Sequence, residues 1–137
     1  MAKQVALKYG SDSCAELMRM GFKCKTYYVK HNNAKNIKDG DNEFFNFKHC
    51  PLQFATCICS NGAIIQIAFN WSDDSESELL EKGFQHQMVL VKDYPTNSEL
   101  TTSNYTTNIK SAYDEFYFMN NMPDIYFCTR FWGLAID

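Results

Sequence analysis

The apolar positions of this chain change period several times, and each change marks a boundary between elements. QVALKYG, ending at Gly10, reads as a first strand. SDSCAELMRMGFK follows as a short helix, with Ser11 or Ser13 as the cap and Ser13 with Glu16 as a capping box. Its apolar face is Ala15, Leu17, Met18 and Phe22, and Gly21 is its stop. CKTYYVKH, Cys24 to His31, is a strand. Asn32 to Asn42 is rich in Asn, Asp and Gly and reads as a loop or hairpin tip, with a turn at Asp39-Gly40. EFFNFKHC resumes as a strand, with Phe45 and Phe47 on one side and Phe44, Asn46 and Lys48 on the other.

LQFATCICSNGAIIQIAFNW carries the clearest local signal. Two β-rich runs flank Ser60-Asn61-Gly62, and Asn-Gly tolerates the positive φ that a tight hairpin needs. Both runs are apolar on both faces, which places them centrally in the sheet. SDDSESELLEKG then enters a helix: Ser72 to Ser75 can all cap, Ser75 with Glu78 forms a capping box, and Gly83 ends it. HQMVLVKDY is a strand closed by Pro95. A helix is expected over Asn108 to Met119, with Ile109, Ala112, Tyr113 and Phe116 at helical spacing. DIYFCTRFWGLAI is a long last strand. No internal repeat is read. The sum is a single α+β domain over residues 1–137, with a mainly antiparallel sheet of about six strands and two or three helices packed on it.

Composition fits that picture. A length of 137 residues suits one domain with one core, and 15% aromatics make a dense core attainable. No apolar stretch is long enough to span a bilayer and no secretory signal opens the chain, so a soluble, cytoplasmic protein is expected. The six cysteines are irregularly spaced, and without a signal they are expected as free thiols rather than disulfides.

Charge changes the picture more. The formal net charge is −3, but residues 1–50 sum to +4 while residues 51–100 sum to −5. Five carboxylates, Asp73, Asp74, Glu76, Glu78 and Glu81, fall on the expected helix after Trp71, with Lys82 as the one nearby base. Acidic groups favour a helix N-terminus by roughly 0.3–1 kcal/mol each. Capping uses one or two of the five and leaves the rest unexplained.

Other chemistry is weaker. His49, Cys50, Cys57 and Cys59 lack the spacing of common zinc sites, and DGDNE lacks the rest of a calcium loop, so no metal and no cofactor are expected. No phosphate loop, nucleophile elbow or metalloprotease motif is present, and no catalytic residue is assigned. Lys23, Lys25, Lys30, Lys35, Lys38 and Lys48 interleave with Tyr27, Tyr28, Phe45 and Phe47, a combination that can stack on RNA; the acidic total and scarce Arg argue against it.

Carboxylates on one side of a small domain can imitate nucleic-acid phosphates and steer a basic partner. The expected function is therefore that of a monomeric or homodimeric inhibitor, of the toxin-immunity or phage anti-host kind. It would occlude the active site of a basic protein such as a toxin or nuclease, with no membrane involved. The expected contact set is Trp71, Asp73, Asp74, Glu76, Glu78, Glu81, Asp93, Glu99, Asp114 and Glu115, with Tyr94 or Tyr105 as further aromatic anchors. The alternatives are an enzyme with a thiol or acid–base site, and a nucleic-acid module built on the basic N-terminal third.

Overall fold

Runs rich in Val, Ile, Phe and Tyr favour a pleated, half-buried surface, and a computed structural model describes the result for residues 2–7, 9–32, 35–59, 62–94, 124–128 and 131–133. The chain order is β1 (Ala2–Leu7), α1 (Ser11–Arg19), β2 (Lys23–Asn32), α2 (Ile37–Phe45), β3 (Gln53–Cys59), β4 (Ile64–Asn70), α3 (Asp73–Glu81), β5 (Gln85–Tyr94), β6 (Asp124–Cys128) and β7 (Trp132–Gly133). Six strands run in the order β4-β2-β5-β1-β6-β3, and β3 pairs back to β4, so the sheet closes into an antiparallel barrel. This is the expected α+β class.

The short β7 lies beside β3 like β6, but one register step out: Ile58 faces Phe127, whereas Phe54 faces Trp132. The last strand, expected as one piece, is thus two pieces along one neighbour. The helix expected over 108–119 lies outside the described residues.

Alternation sorts the side chains. Val5, Leu7, Val29, Ala55, Cys57, Ile65, Ile67, Val89, Val91 and Tyr126 share the inward face and are buried. A six-stranded lumen is filled by side chains alone, so the helices pack outside. Phe44, Phe47 and Leu79 meet Tyr28, Phe54 and Ala68 there, and α1 buries Leu17 against the main core.

The structure corrects four expectations. Residues 37–45, expected as a turn and the start of a strand, form α2. Asn36 caps it, accepting from the Asp39 N–H at 2.8 Å, and Gly40, Asp41 and Phe44 fall on its buried face. Gly40 lets the helix lie close to β3: a Cβ there would stand 2.5 Å from Thr56 Cγ2. The expected capping boxes also move. Gly10 caps α1 without a side-chain bond, and the box on α3 joins Ser72 to Ser75, not Ser75 to Glu78.

Third, Cys57 and Cys128 form a disulfide rather than free thiols. The register that sets Ile58 opposite Phe127 also sets these two opposite each other on β3 and β6, with their Cα atoms 4.5 Å apart. Residues 71 apart in sequence give no hint of this pairing.

Fourth, there is an internal repeat. β1-α1-β2 and β4-α3-β5 are copies of one unit, with counterparts 62 positions apart, as Gly83 follows Gly21. Gln4 and Gln66, Ala6 and Ala68, Ser13 and Ser75, Leu17 and Leu79, Phe22 and Phe84, Val29 and Val91, and Lys30 and Lys92 are identical pairs. The pairing obeys the same exchange: Val5 faces Val91, and Ile67 faces Val29. Both helices end alike. Gly21 (φ +102°) donates to the Met18 carbonyl and Phe22 to that of Leu17; Gly83 (φ +94°) donates to Leu80 and Phe84 to Leu79. Lys30 Nζ lies 5.8 Å from the Phe84 ring, and Lys92 Nζ lies 6.0 Å from the Phe22 ring. Thr26 faces its own counterpart Met88, so a pseudo-two-fold axis passes between β2 and β5. It leaves between β3 and β6 at the Cys57–Cys128 bridge.

Candidate functional site

Helix α3 buries Ser75 and Leu79 against the barrel, which fixes where its other residues point. Glu76 and Glu78 flank the buried stripe on opposite sides, and Asp73, Asp74, Ser77, Leu80 and Glu81 face solvent.

The two flanking carboxylates have structural tasks. Tyr28 Oη donates to Glu76 at 2.7 Å. Burial, then that hydrogen bond and the Glu76 charge, push the Tyr28 phenol up to about 12. Glu78 accepts two backbone N–H groups, from His49 at 2.6 Å and Lys48 at 2.8 Å, and so ties down the chain after α2. Burial opposes its ionisation, but those two donors and the Lys82 ammonium, 3.8 Å away, hold its carboxyl below the usual range. Sequence reasoning misses this clamp, because a backbone N–H carries no residue signature.

Asp73, Asp74 and Glu81 are different. Among the described residues no base lies within ion-pair distance of any of them. Asp74 and Glu81 join Lys48, His49, Ser77, Glu78 and Lys82 around a shallow cleft of about 420 Å³. The repeat supplies an internal control. In α1 the counterparts of the five acids are Ser11, Asp12, Cys14, Glu16 and Arg19, and Glu16 is bonded to Arg19. α1 makes the same kind of helix with two carboxylates, so helix formation does not demand five.

The rest of the expected contact set divides. Trp71 is half-buried at the start of α3, edge-on to Tyr28 with centroids 4.7 Å apart and 5.6 Å from His86. Asp93 projects from the inward face at the end of β5, opposite the face that carries α3, and pairs with Lys3 at 2.7 Å while staying exposed. Glu99, Tyr105, Asp114 and Glu115 lie outside the described residues, as does the side chain of Tyr94.

The alternative chemistries also find their places. Cys57, considered for a metal set, is committed to the disulfide, and among the described residues no cluster of three or more His, Cys, Asp or Glu could hold a metal ion. The Cys50 thiol donates to the Phe44 carbonyl at 3.5 Å, and burial and then the Glu78 charge push it up, the reverse of an activated nucleophile. Of the aromatics considered for stacking, Tyr28 and Phe47 are buried and Tyr27 packs edge-on against Phe69 at 4.9 Å. Among the described residues no helix is long and apolar enough to cross a membrane. Comparison with protein-family models, curated proteins and solved structures finds no match to this chain.

Proposed function

We propose that this protein is a small inhibitor that neutralises a basic partner by laying the outer face of α3 over the partner's active site. One observation carries this reading: Asp73, Asp74 and Glu81 stand exposed without ion-pair partners among the described residues, where the repeat-related helix has Ser11, Asp12 and Arg19. Unpaired surface carboxylates steer a cationic surface and accelerate its arrival. Glu78 and Glu76 hold the helix rigid, so little ordering is needed on binding. A cytoplasmic setting remains part of the proposal; both sulfurs of the Cys57–Cys128 bridge are fully buried, which shields it from soluble reductants.

The test is reversal of charge with the repeat as control. Tagged protein is used to capture partners from its native cell at low and high salt. Capture of one stoichiometric basic protein, weakened by salt and lost with Asp73→Lys, Asp74→Lys and Glu81→Lys together, is the expected result. Asp12→Lys on α1 is expected to leave capture intact. Equal loss from both helices, or a captured protein indifferent to salt and to all four changes, would sink the reading.

A further inference from the structure

The pseudo-two-fold axis marks a second feature of the surface. On the outward side it emerges between Thr26 and Met88, both exposed, on a strip of sheet flanked by α1 and α3. Met88 is 61% exposed. Leu80, 56% exposed, sits one turn after Glu76, whose carboxylate reaches Tyr28 on β2; it therefore lies on the side of α3 that borders the strip. Its repeat counterpart Met18, 53% exposed, sits one turn after Cys14, and its Sδ is 4.0 Å from the Cys14 Sγ. Among the described residues these three are the most exposed large apolar side chains, and all three fall on the axis or at two-fold-related positions. The duplication sets Met18 and Leu80 at related positions, and the three side chains together give this one strip the largest apolar exposure among the described residues.

We propose that this strip is a groove for an amphipathic helix carried by the basic partner, with its apolar face on Met18, Met88 and Leu80 and its Lys or Arg flank along α3. The proposal rests on the reading of α3 as the recognition surface and adds an apolar centre to it. Two observations select the occupant. Among the described residues the six-stranded sheet is closed and only the two-residue β7 offers an edge, away from this strip, so an extended peptide finds no edge here, whereas a helix needs only a groove. Met18 and Leu80 are apolar in both halves but the charges beside them differ: Asp73 and Glu76 line the α3 wall where Ser11 and Cys14 line the other.

The probes are three synthetic helices of about 14 residues: leucines on one stripe with lysine flanks, the same stripe with glutamate flanks, and the lysine peptide with its leucines scattered. Binding is read by fluorescence anisotropy, with circular dichroism as the check on folding. The lysine-flanked helix is expected to bind and the other two are not. Met88→Glu and Leu80→Glu should each weaken it about tenfold or more, while Leu52→Glu, an exposed apolar residue elsewhere, should leave it unchanged. If charge reversal on α3 abolishes binding and Met88→Glu does not, the groove is refuted and the charged surface stands. Weakening by Met88→Glu alone, with charge reversal silent, would refute the basic partner instead. A dimer in sedimentation that Met88→Glu disperses would assign the strip to a second copy and overturn the proposal, as would failure of all three peptides.

Discussion

Glu78 lies beside the barrel with little of its side chain in water, yet its carboxyl is held ionised. Two backbone donors and Lys82 achieve this, and an amide in place of the carboxylate would keep one acceptor oxygen and turn an NH2 donor toward the other of the Lys48 and His49 N–H groups. A lowered folded-state value adds stability that is complete above the ordinary carboxylate value of 4.5 and is lost as pH falls through the folded value. Glu78→Gln is therefore expected to cost about 1–3 kcal/mol at neutral pH. In urea titrations from pH 7 to pH 3, its gap to the parent should narrow below the ordinary value. A gap that stayed constant across that range would show that the carboxylate's charge contributes nothing. Residue chemistry is where the sequence is least transparent here. Five acids in SDDSESELLEKG look equivalent on paper, and only their angle around α3 divides them into two fasteners and three without an ion pair among the described residues.

Elements are legible in proportion to the regularity of their apolar pattern. The β3–β4 hairpin follows from two apolar runs around Asn-Gly, and Gly62 takes the positive φ that the turn needs. α1 and α3 follow from their glycine stops. Gly21→Ala and Gly83→Ala should each destabilise by about 1 kcal/mol, since both replace a left-handed terminal glycine in the same motif. Thermal melts showing one change neutral and the other costly would argue that the two ends are not equivalent. α2 escapes a linear reading because Gly40 and Asp41, poor signals for a buried helix face, point inward there, while the hydrophobic Phe45 points out. The Cys57–Cys128 bridge escapes it for a related reason: spacing along the chain says nothing about which strands adjoin. Alkylation in denaturant without reductant should label four of the six cysteines, and all six after reduction. Six labels at the first step would remove the bridge.

The whole molecule is a duplicated unit closed into a ring, and that symmetry is what makes its surface interpretable. The buried Gln, Ser and Leu alike in both halves serve the fold, as do the terminal Gly and the Phe beneath a Lys. Asp73 and Glu81, where the other half has Ser11 and Arg19, differ and carry no ion pair among the described residues. The symmetry also places the connection from β3 to β4 at the counterpart of the gap between β6 and β1. A circular permutant, opened at Gly62 and joined from residue 137 to residue 1 by a Gly/Ser linker long enough to impose no strain, should keep its circular dichroism spectrum and melt within a few degrees of the parent. Collapse to an unfolded chain would show that the halves are not interchangeable around the ring.

Local facts are written in the chain itself: strand and helix periods, the Asn-Gly hairpin, helix stops at glycine, the concentration of acid on one helix and the α+β class. These depend on neighbours within a turn or a hairpin, which a linear pattern records. Other facts exist only in three dimensions: closure of the barrel, the cross-strand disulfide, the fastening of Glu76 and Glu78 and the pairing of Asp93 with Lys3. Each of these depends on which distant segments become neighbours. In an antiparallel ring built from interleaved halves, adjacency in space is set by register and closure, and neither is written in the spacing of residues along the chain.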